Sequence, residues 1–302
     1  MAKNKQEFDM DYYNEENSEE NYIVSQDKIL IRGVEVPFPL VLANNLKTAN
    51  QLIEHKFDVV FFIDGMEGSG KSELGKECGL ILNSNFSEDD IVFTPEQFSE
   101  WTLNKKRKKG DVVLWDEFIF GGNSADALTS MQNMLTKMFV TMRSKGLIVI
   151  LLAPSLFLIR KYFAIFRTRF LLHCYTKGLS RGYTKFYSYS AKHMLVNYGY
   201  KTWLYSPKVK PSFTCRFSAW SSQFLDEKKI EVKKHAAIKS LEENDKKKIK
   251  MTPKQEEYFC KIPLGSIFPH DSTERRTLWN LQNQIRTLRG FDNGKGEKDT
   301  IL

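Results

Sequence analysis

Eight residues, Gly65-Met66-Glu67-Gly68-Ser69-Gly70-Lys71-Ser72, carry the clearest chemistry in this sequence. They fit G-x-x-x-x-G-K-[ST], a pattern whose glycines let main-chain N–H groups turn inward around a phosphate. Gly65, Gly68, Ser69 and Gly70 would shape the cradle. Lys71 would reach the β- and γ-phosphates of a nucleotide, and Ser72 would ligate Mg²⁺. A second pair follows at Asp116-Glu117. Asp116 would hold the hydration shell of the metal, and Glu117 would orient and deprotonate an attacking water. A carboxylate directly after the metal-binding Asp suits hydrolysis by water.

Both motifs need elements that aim them. Val59-Val60-Phe61-Phe62-Ile63 is an apolar run that reads as a buried strand, and residues 73–82 after the glycine loop have helical spacing. The loop therefore sits at a strand-to-helix turn, where a helix N-terminus adds its dipole to the cradle. Residues 89–94 read as a short second strand. Thr94, Pro95 and Gln97 then form a helix start, with Thr94 as N-cap. Residues 111–117 read as a third strand ending in Asp116-Glu117. Residues 126–143 read as a long helix with a one-sided apolar stripe that packs on a sheet, closed by Gly146. Residues 147–152 are apolar on both faces, as expected for the centre of a parallel sheet. A short helix is expected over 156–166 and a fifth strand over 169–175. His173 reads as a packed or hydrogen-bonded strand residue. The fold class expected is α/β, a three-layer sandwich with a central mostly parallel sheet, plus a small C-terminal helical module.

The flanks differ in composition. Residues 1–27 hold two lysines against eight acids, a net of −6, so the rest of the +8 chain carries +14. The acidic stretch reads as a disordered tail. A hairpin or lead-in strand is expected over 28–40 and a helix over 44–55. Residues 28–222 form the expected main domain. Within it, residues 180–220 interleave cations with Tyr, Phe and Trp. Such a segment can stack bases and hold phosphates, or can be an edge hairpin with its rings turned inward. Residues 223–250 read as a charged linker or solvated helix. Residues 251–302 read as two helices, suited to a helix-turn-helix or to a helical hairpin that binds a protein partner. Four widely spaced cysteines give no C-x-x-C pair, which points to a reduced, cytoplasmic chain without structural zinc. No apolar signal segment opens the chain. The longest apolar run, 147–159, is interrupted by Pro154 and is too short to span a bilayer.

Four segments together carry a resemblance: Gly65–Ser72, Trp115-Asp116-Glu117, Met142-Arg143-Ser144-Lys145-Gly146, and residues 150–155 ending in Ala153-Pro154-Ser155. They resemble P-loop ATPases of the additional-strand, catalytic-Glu type, in particular the zonular-occludens-toxin-like proteins of viruses, phages and plasmid-like elements. These are similar in turn to FtsK–HerA DNA pumps and viral packaging ATPases. The resemblance covers 58–176. It implies ATP and Mg²⁺ as cofactors, DNA as partner, and an oligomeric ring that moves or packages DNA in the cytoplasm (of a host, for a virus). It also implies an Arg finger reaching a neighbouring subunit's nucleotide. Arg143, Arg160, Arg167 and Arg169 are the candidates, with Arg143 first. Ser155 holds the place of a polar γ-phosphate sensor, where DNA pumps commonly carry Gln, and is equally readable as a turn serine. Two rival functions fit the same motifs: a nucleotide or nucleoside kinase, which has little use for Glu117, and an ATP-switched assembly scaffold, which would not need hydrolysis.

Overall fold

The computed structural model describes residues 23–24, 27–57, 59–116, 142–202, 204–247, 253–261 and 273–289. Glu117, the loop 118–125, the expected helix up to residue 141 and residues 1–22 lie outside them. The chain forms two compact units, Met1–Ala237 and Ile238–Leu302.

The first unit opens with β1 (Ile23–Val24), then β2 (Asp27–Ile31) and β3 (Val34–Phe38), which pair as the expected antiparallel hairpin. Helix α1 (Leu40–Glu54) starts earlier than the sequence pattern suggests. Pro39 stands at its N-cap with φ −63, already in the range a helix entry needs. Next come β4 (Val59–Gly65), α2 (Lys71–Leu82), β5 (Ile91–Val92), α3 (Pro95–Leu103), β6 (Val112–Trp115) and β7 (Ile148–Leu152). They are followed by β8 (Thr168–Lys177), β9 (Ser180–Tyr187), α4 (Tyr189–Gly199), β10 (Phe213–Arg216) and the start of α5 (Glu227–Lys247).

Eight strands make one sheet in the order β1-β10-β9-β8-β4-β7-β6-β5. Among the described residues β9 alone runs against the others. The P-loop strand β4 is central, between β8 and β7. Every residue of β4 and β7 is buried, as parallel strands covered on both faces require. Alternation sorts β4 between two cores. Val59, Phe61 and Ile63 face one with α1 and α2, while Val60 and Phe62 face the other with Phe98, Trp115 and Leu195. This is the expected three-layer α/β sandwich. A row of phenylalanines crosses four strands on one face, with Phe61–Phe170 centroids 4.8 Å apart, Phe170–Phe186 5.1 Å and Phe186–Phe213 4.6 Å. Burying each such side chain contributes roughly 1.5–3 kcal/mol.

Several local expectations need correction. Ile23–Val24 lie inside the stretch read as a disordered tail, yet they pair in parallel with Thr214 and Cys215 of β10. The second strand shrinks to Ile91–Val92 because Asp90 is drawn into a turn: its Oδ2 accepts from Ser87 N at 2.9 Å, and its Oδ1 from Trp101 Nε1 and Arg107. The helix expected over 156–166 is instead a 3-10 turn, Leu156–Leu158, and a π-turn, Phe163–Arg167. The ammonium of Lys192, fully buried, draws in the carbonyls of Ala164, Ile165 and Thr168 there, which competes with an α-helical ladder. Within 180–220 the hairpin strand is present, β9 pairing antiparallel with β8, and a helix and the strand β10 follow it. Gly146 also closes its helix as expected: φ is 63, Gly146 N bonds Arg143 O and Leu147 N bonds Met142 O, the Schellman pattern.

The second unit contains α6 (Pro253–Lys261) and α7 (Thr273–Arg289). They pack through Gln282 Nε2 to Phe259 O at 2.7 Å and Arg286 to Cys260 O at 2.6 Å. Among the described residues no helix is long and apolar enough to cross a membrane.

Candidate nucleotide site

The loop Gly65–Ser72 leaves β4 at the C-terminal edge of the parallel strands, the side on which open α/β sheets bind ligands. Gly65 ends β4 with φ 139, and a Cβ there would stand 2.1 Å from the Cys174 carbonyl oxygen. That neighbour is main chain and cannot swing aside, so the position requires glycine. Gly70 enters α2 in the left-handed region, and no side chain caps the helix start. The first N–H groups of α2 are left for a ligand, and the helix dipole favours an anion there. Ser69 is fully buried, and its hydroxyl closes the loop by donating to Met66 O at 2.7 Å. Lys71 Nζ donates to Gly65 O and Met66 O, each at 2.8 Å. An ammonium has three donors, so one remains for an anion inside the loop. An uncapped helix start, a glycine-turned cradle and a lysine with spare capacity fit a polyphosphate.

Ser72 and Asp116 line one cavity of about 250 Å³ together with Lys76 and Leu114. Helix α5 contributes Glu227, Glu231 and Lys234 to the same cavity. The fold thus brings together the two side chains expected to hold a metal. Both offer oxygen, the donor that Mg²⁺ prefers. Among the described residues no group of three His, Cys, Asp or Glu forms a separate metal site.

The approach of α5 was not legible as chemistry in its Lys/Glu-rich sequence. Lys76 anchors it. Its Nζ bonds Glu227 at 2.6 Å and Glu73 at 2.8 Å. Burial pushes the Lys76 ammonium down, but the bonds from the two carboxylates outweigh it and hold the pKa above the ordinary value. Glu73 also accepts from Ser221 N, and Glu77 from Trp220 N, each at 3.1 Å. The P-loop helix is therefore tied along one side to residues 220–227. Burial lifts the Glu77 carboxyl to about 9 against the bond from Trp220.

A second support missed by sequence reading is Asp64, fully buried immediately before the loop. Oδ1 bonds His173 Nδ1 at 2.8 Å. Oδ2 accepts from Leu156 N at 2.8 Å and from the Tyr205 hydroxyl. Burial, reinforced by the Asp64 charge, pushes the Tyr205 phenol well up, which keeps its proton in that bond. Asp64 therefore links β4, β8 and the segment that carries Ser155. An acid closing an apolar strand was the available signal.

Ser155 itself caps the 3-10 turn: its hydroxyl oxygen accepts from Phe157 N at 3.2 Å. Arg143 is not brought to the loop. It is exposed in the helical turn 142–145 that precedes β7, at the sheet edge where Ile148 pairs with Val59. The loop leaves the other end of the seven-residue β4. At about 3.3 Å per residue the two edges are roughly 20 Å apart. Arg169 lies over the Phe57 ring at 5.1 Å. Arg160 and Arg167 lie on the crossover from β7 to β8.

Beside the loop, the half-exposed face of β8, β9 and β10 carries stacked cations and tyrosines. Tyr175 and Tyr183 have centroids 5.6 Å apart. Lys185 lies over Tyr175 at 5.1 Å, and Lys177 and Arg216 over Tyr183 at 5.4 and 5.5 Å. Phe186 and Tyr187 are buried instead. The inward-packed reading of this aromatic segment therefore holds for these two rings.

No family model and no curated protein matches the chain. Among solved structures it is similar to the N-terminal domain of zonular occludens toxin from Neisseria meningitidis, at 14% identity and TM-score 0.35, over 54% of this chain and 95% of that one. It is also similar to a replication initiator DnaA bound to AMPPCP and single-stranded DNA, at 15% identity and TM-score 0.32, over 82% and 89%. A third likeness is to a DNA replication initiation factor, at 13% identity and TM-score 0.29, over 86% of each chain.

Proposed function

We propose that this chain is a Mg²⁺-dependent ATPase that couples hydrolysis to movement or packaging of DNA, working as an oligomeric ring in the cytoplasm. The observation that carries the ATPase reading is the placement of Ser72 and Asp116 on one cavity beside an uncapped, glycine-turned helix start. In this reading the main-chain N–H groups of 68–72 and Lys71 Nζ hold the phosphates. Ser72 Oγ and the Asp116 carboxylate hold Mg²⁺, which when bound offsets the charge on the phosphate oxygens. Glu117 follows Asp116 and takes the proton of the attacking water. Ser155 stands on the segment that Asp64 fixes beside the loop.

The DNA reading draws on the tyrosine–cation face of β8–β10, suited to stacking bases and pairing phosphates, and on the +14 charge beyond residue 27. Arg143, at the far edge from its own loop, suits a finger only if it serves a neighbour's nucleotide, as a ring provides. The C-terminal helices are left for a protein or DNA partner. The test is the rate of phosphate release with and without single- and double-stranded DNA. Severalfold stimulation by one of them is expected. A rate indifferent to both would sink the motor reading while leaving the ATPase intact. Phosphate transfer to nucleosides would favour a kinase instead.

A further inference from the structure

Arg181 opens the accessible end of β9, two residues before Tyr183. It is exposed, and among the described residues its guanidinium makes no hydrogen bond or ion pair. Its terminal nitrogen is nonetheless 4.0 Å from where a Cβ at Gly68 would stand, in the middle of the glycine loop. A cation beside a phosphate cradle, with no carboxylate paired to it among the described residues, lacks the counter-charge that such sites are built to receive.

The position is held by the fold. Gly182, the next residue, has φ 87, and a Cβ on it would lie 2.6 Å from the Phe217 carbonyl oxygen. Its own carbonyl accepts from Phe217 N at 2.7 Å. The Phe217 ring in turn reaches the loop, 3.1 Å from a Cβ built on Gly70. One buried phenylalanine thus locks the start of β9 to the glycine loop, and Arg181 is carried over the cradle. Lys177 and Arg216, both stacked on Tyr183, add positive charge beside it. Lys71 guards the cradle from the helix side and Arg181 from the hairpin side.

We propose that Arg181 is a phosphate-binding residue of the nucleotide site, supplied by the same chain, which clasps the terminal phosphates of ATP. The assignment rests on reading the loop as a nucleotide site. Its test is equilibrium binding of fluorescent ATP and ADP analogues to the full chain, with kcat and KM for ATP, in wild type, Arg181→Ala, Arg181→Lys and Lys71→Ala. Arg181→Ala should weaken ATP binding by about tenfold to a hundredfold, the range of a charge-assisted contact. Arg181→Lys should recover part of that loss, and the melting temperature without nucleotide should stay at the wild-type value. If Arg181→Ala keeps wild-type ATP affinity and kcat/KM while Lys71→Ala loses both, the assignment to Arg181 is overturned and the nucleotide reading stands. A loss confined to DNA binding overturns it too. If Lys71→Ala also binds ATP normally, the nucleotide reading fails and Arg181 falls with it.

Discussion

Of the lysines that fold back onto main-chain carbonyls, two make a sharp contrast, one in the glycine loop and one under the π-turn. Lys71 donates to two carbonyls and is half-buried. Lys192 is fully buried and meets Ile165 O at 2.9 Å, Thr168 O at 2.6 Å, Thr168 Oγ1 at 2.9 Å and the carbonyl of Ala164. The contrast is one of saturation. Lys192 has more acceptors than donors, so it has nothing to offer a ligand and everything to lose by removal. Lys71 keeps a donor and an open side, which is what a residue that must meet a phosphate needs.

The largest expected effect tests the saturated member. Lys192→Met keeps the apolar stem but removes the lysine donor from three buried carbonyls at the junction of the π-turn and β8, of which Ala164 O keeps the Thr168 hydroxyl. Leaving buried acceptors without their donor costs about 1–3 kcal/mol. Urea unfolding should show a loss of that size, while the folded fraction binds ATP with wild-type affinity. A loss below about 1 kcal/mol would mean that the carbonyls find other donors and that the saturation argument is wrong.

The next effect tests the unsaturated member. Lys71→Ala should leave the midpoint of unfolding nearly unchanged, since two half-exposed bonds contribute little. It should weaken ATP binding by about a hundredfold, or roughly 2.7 kcal/mol. The comparison breaks if the variant is as destabilised as Lys192→Met, for Lys71 would then be a structural clamp on the loop.

The same contrast separates what the sequence made legible from what it hid. Gly65–Ser72 declares itself because its chemistry is local: each residue acts through a main chain fixed by its neighbours. The central strands were equally legible, since burial on both faces leaves continuous apolar runs such as 148–152. Lys192, Asp64, Arg181 and Glu227 act across 24 to 151 residues of chain. No period or spacing encodes a partner at that distance. Residues 227–247 look like a solvated charge run because few of their contacts are apolar (Ile230 and Ala237), while Glu227 reaches Lys76 and Lys233 reaches the carbonyls of Glu88 and Asp89. The misjudged crossover 156–167 has the same cause, a buried ammonium from another helix that outcompetes local helix geometry.

Two buried carboxylates repeat the comparison with the opposite charge. Asp64 receives three donors, whereas Glu77 receives Trp220 N alone. Its Oε2 meets no donor among the described residues. Burial accordingly raises the Glu77 pKa from 4.5 to about 9. The native protein then keeps a proton that the unfolded chain has released. The stability associated with Glu77 is fully present below about pH 4.5 and is lost as pH rises towards 9, by up to about 1.4 kcal/mol per pH unit. Glu77→Gln retains an oxygen for Trp220 N and removes the titration. Its unfolding free energy should match wild type at pH 5 and exceed it increasingly at pH 7 and pH 9 in denaturant titrations. Parallel pH profiles for the two proteins would show that Glu77 is ionised in the fold and has found a second donor. Glu77 would then belong with Asp64 among the saturated groups.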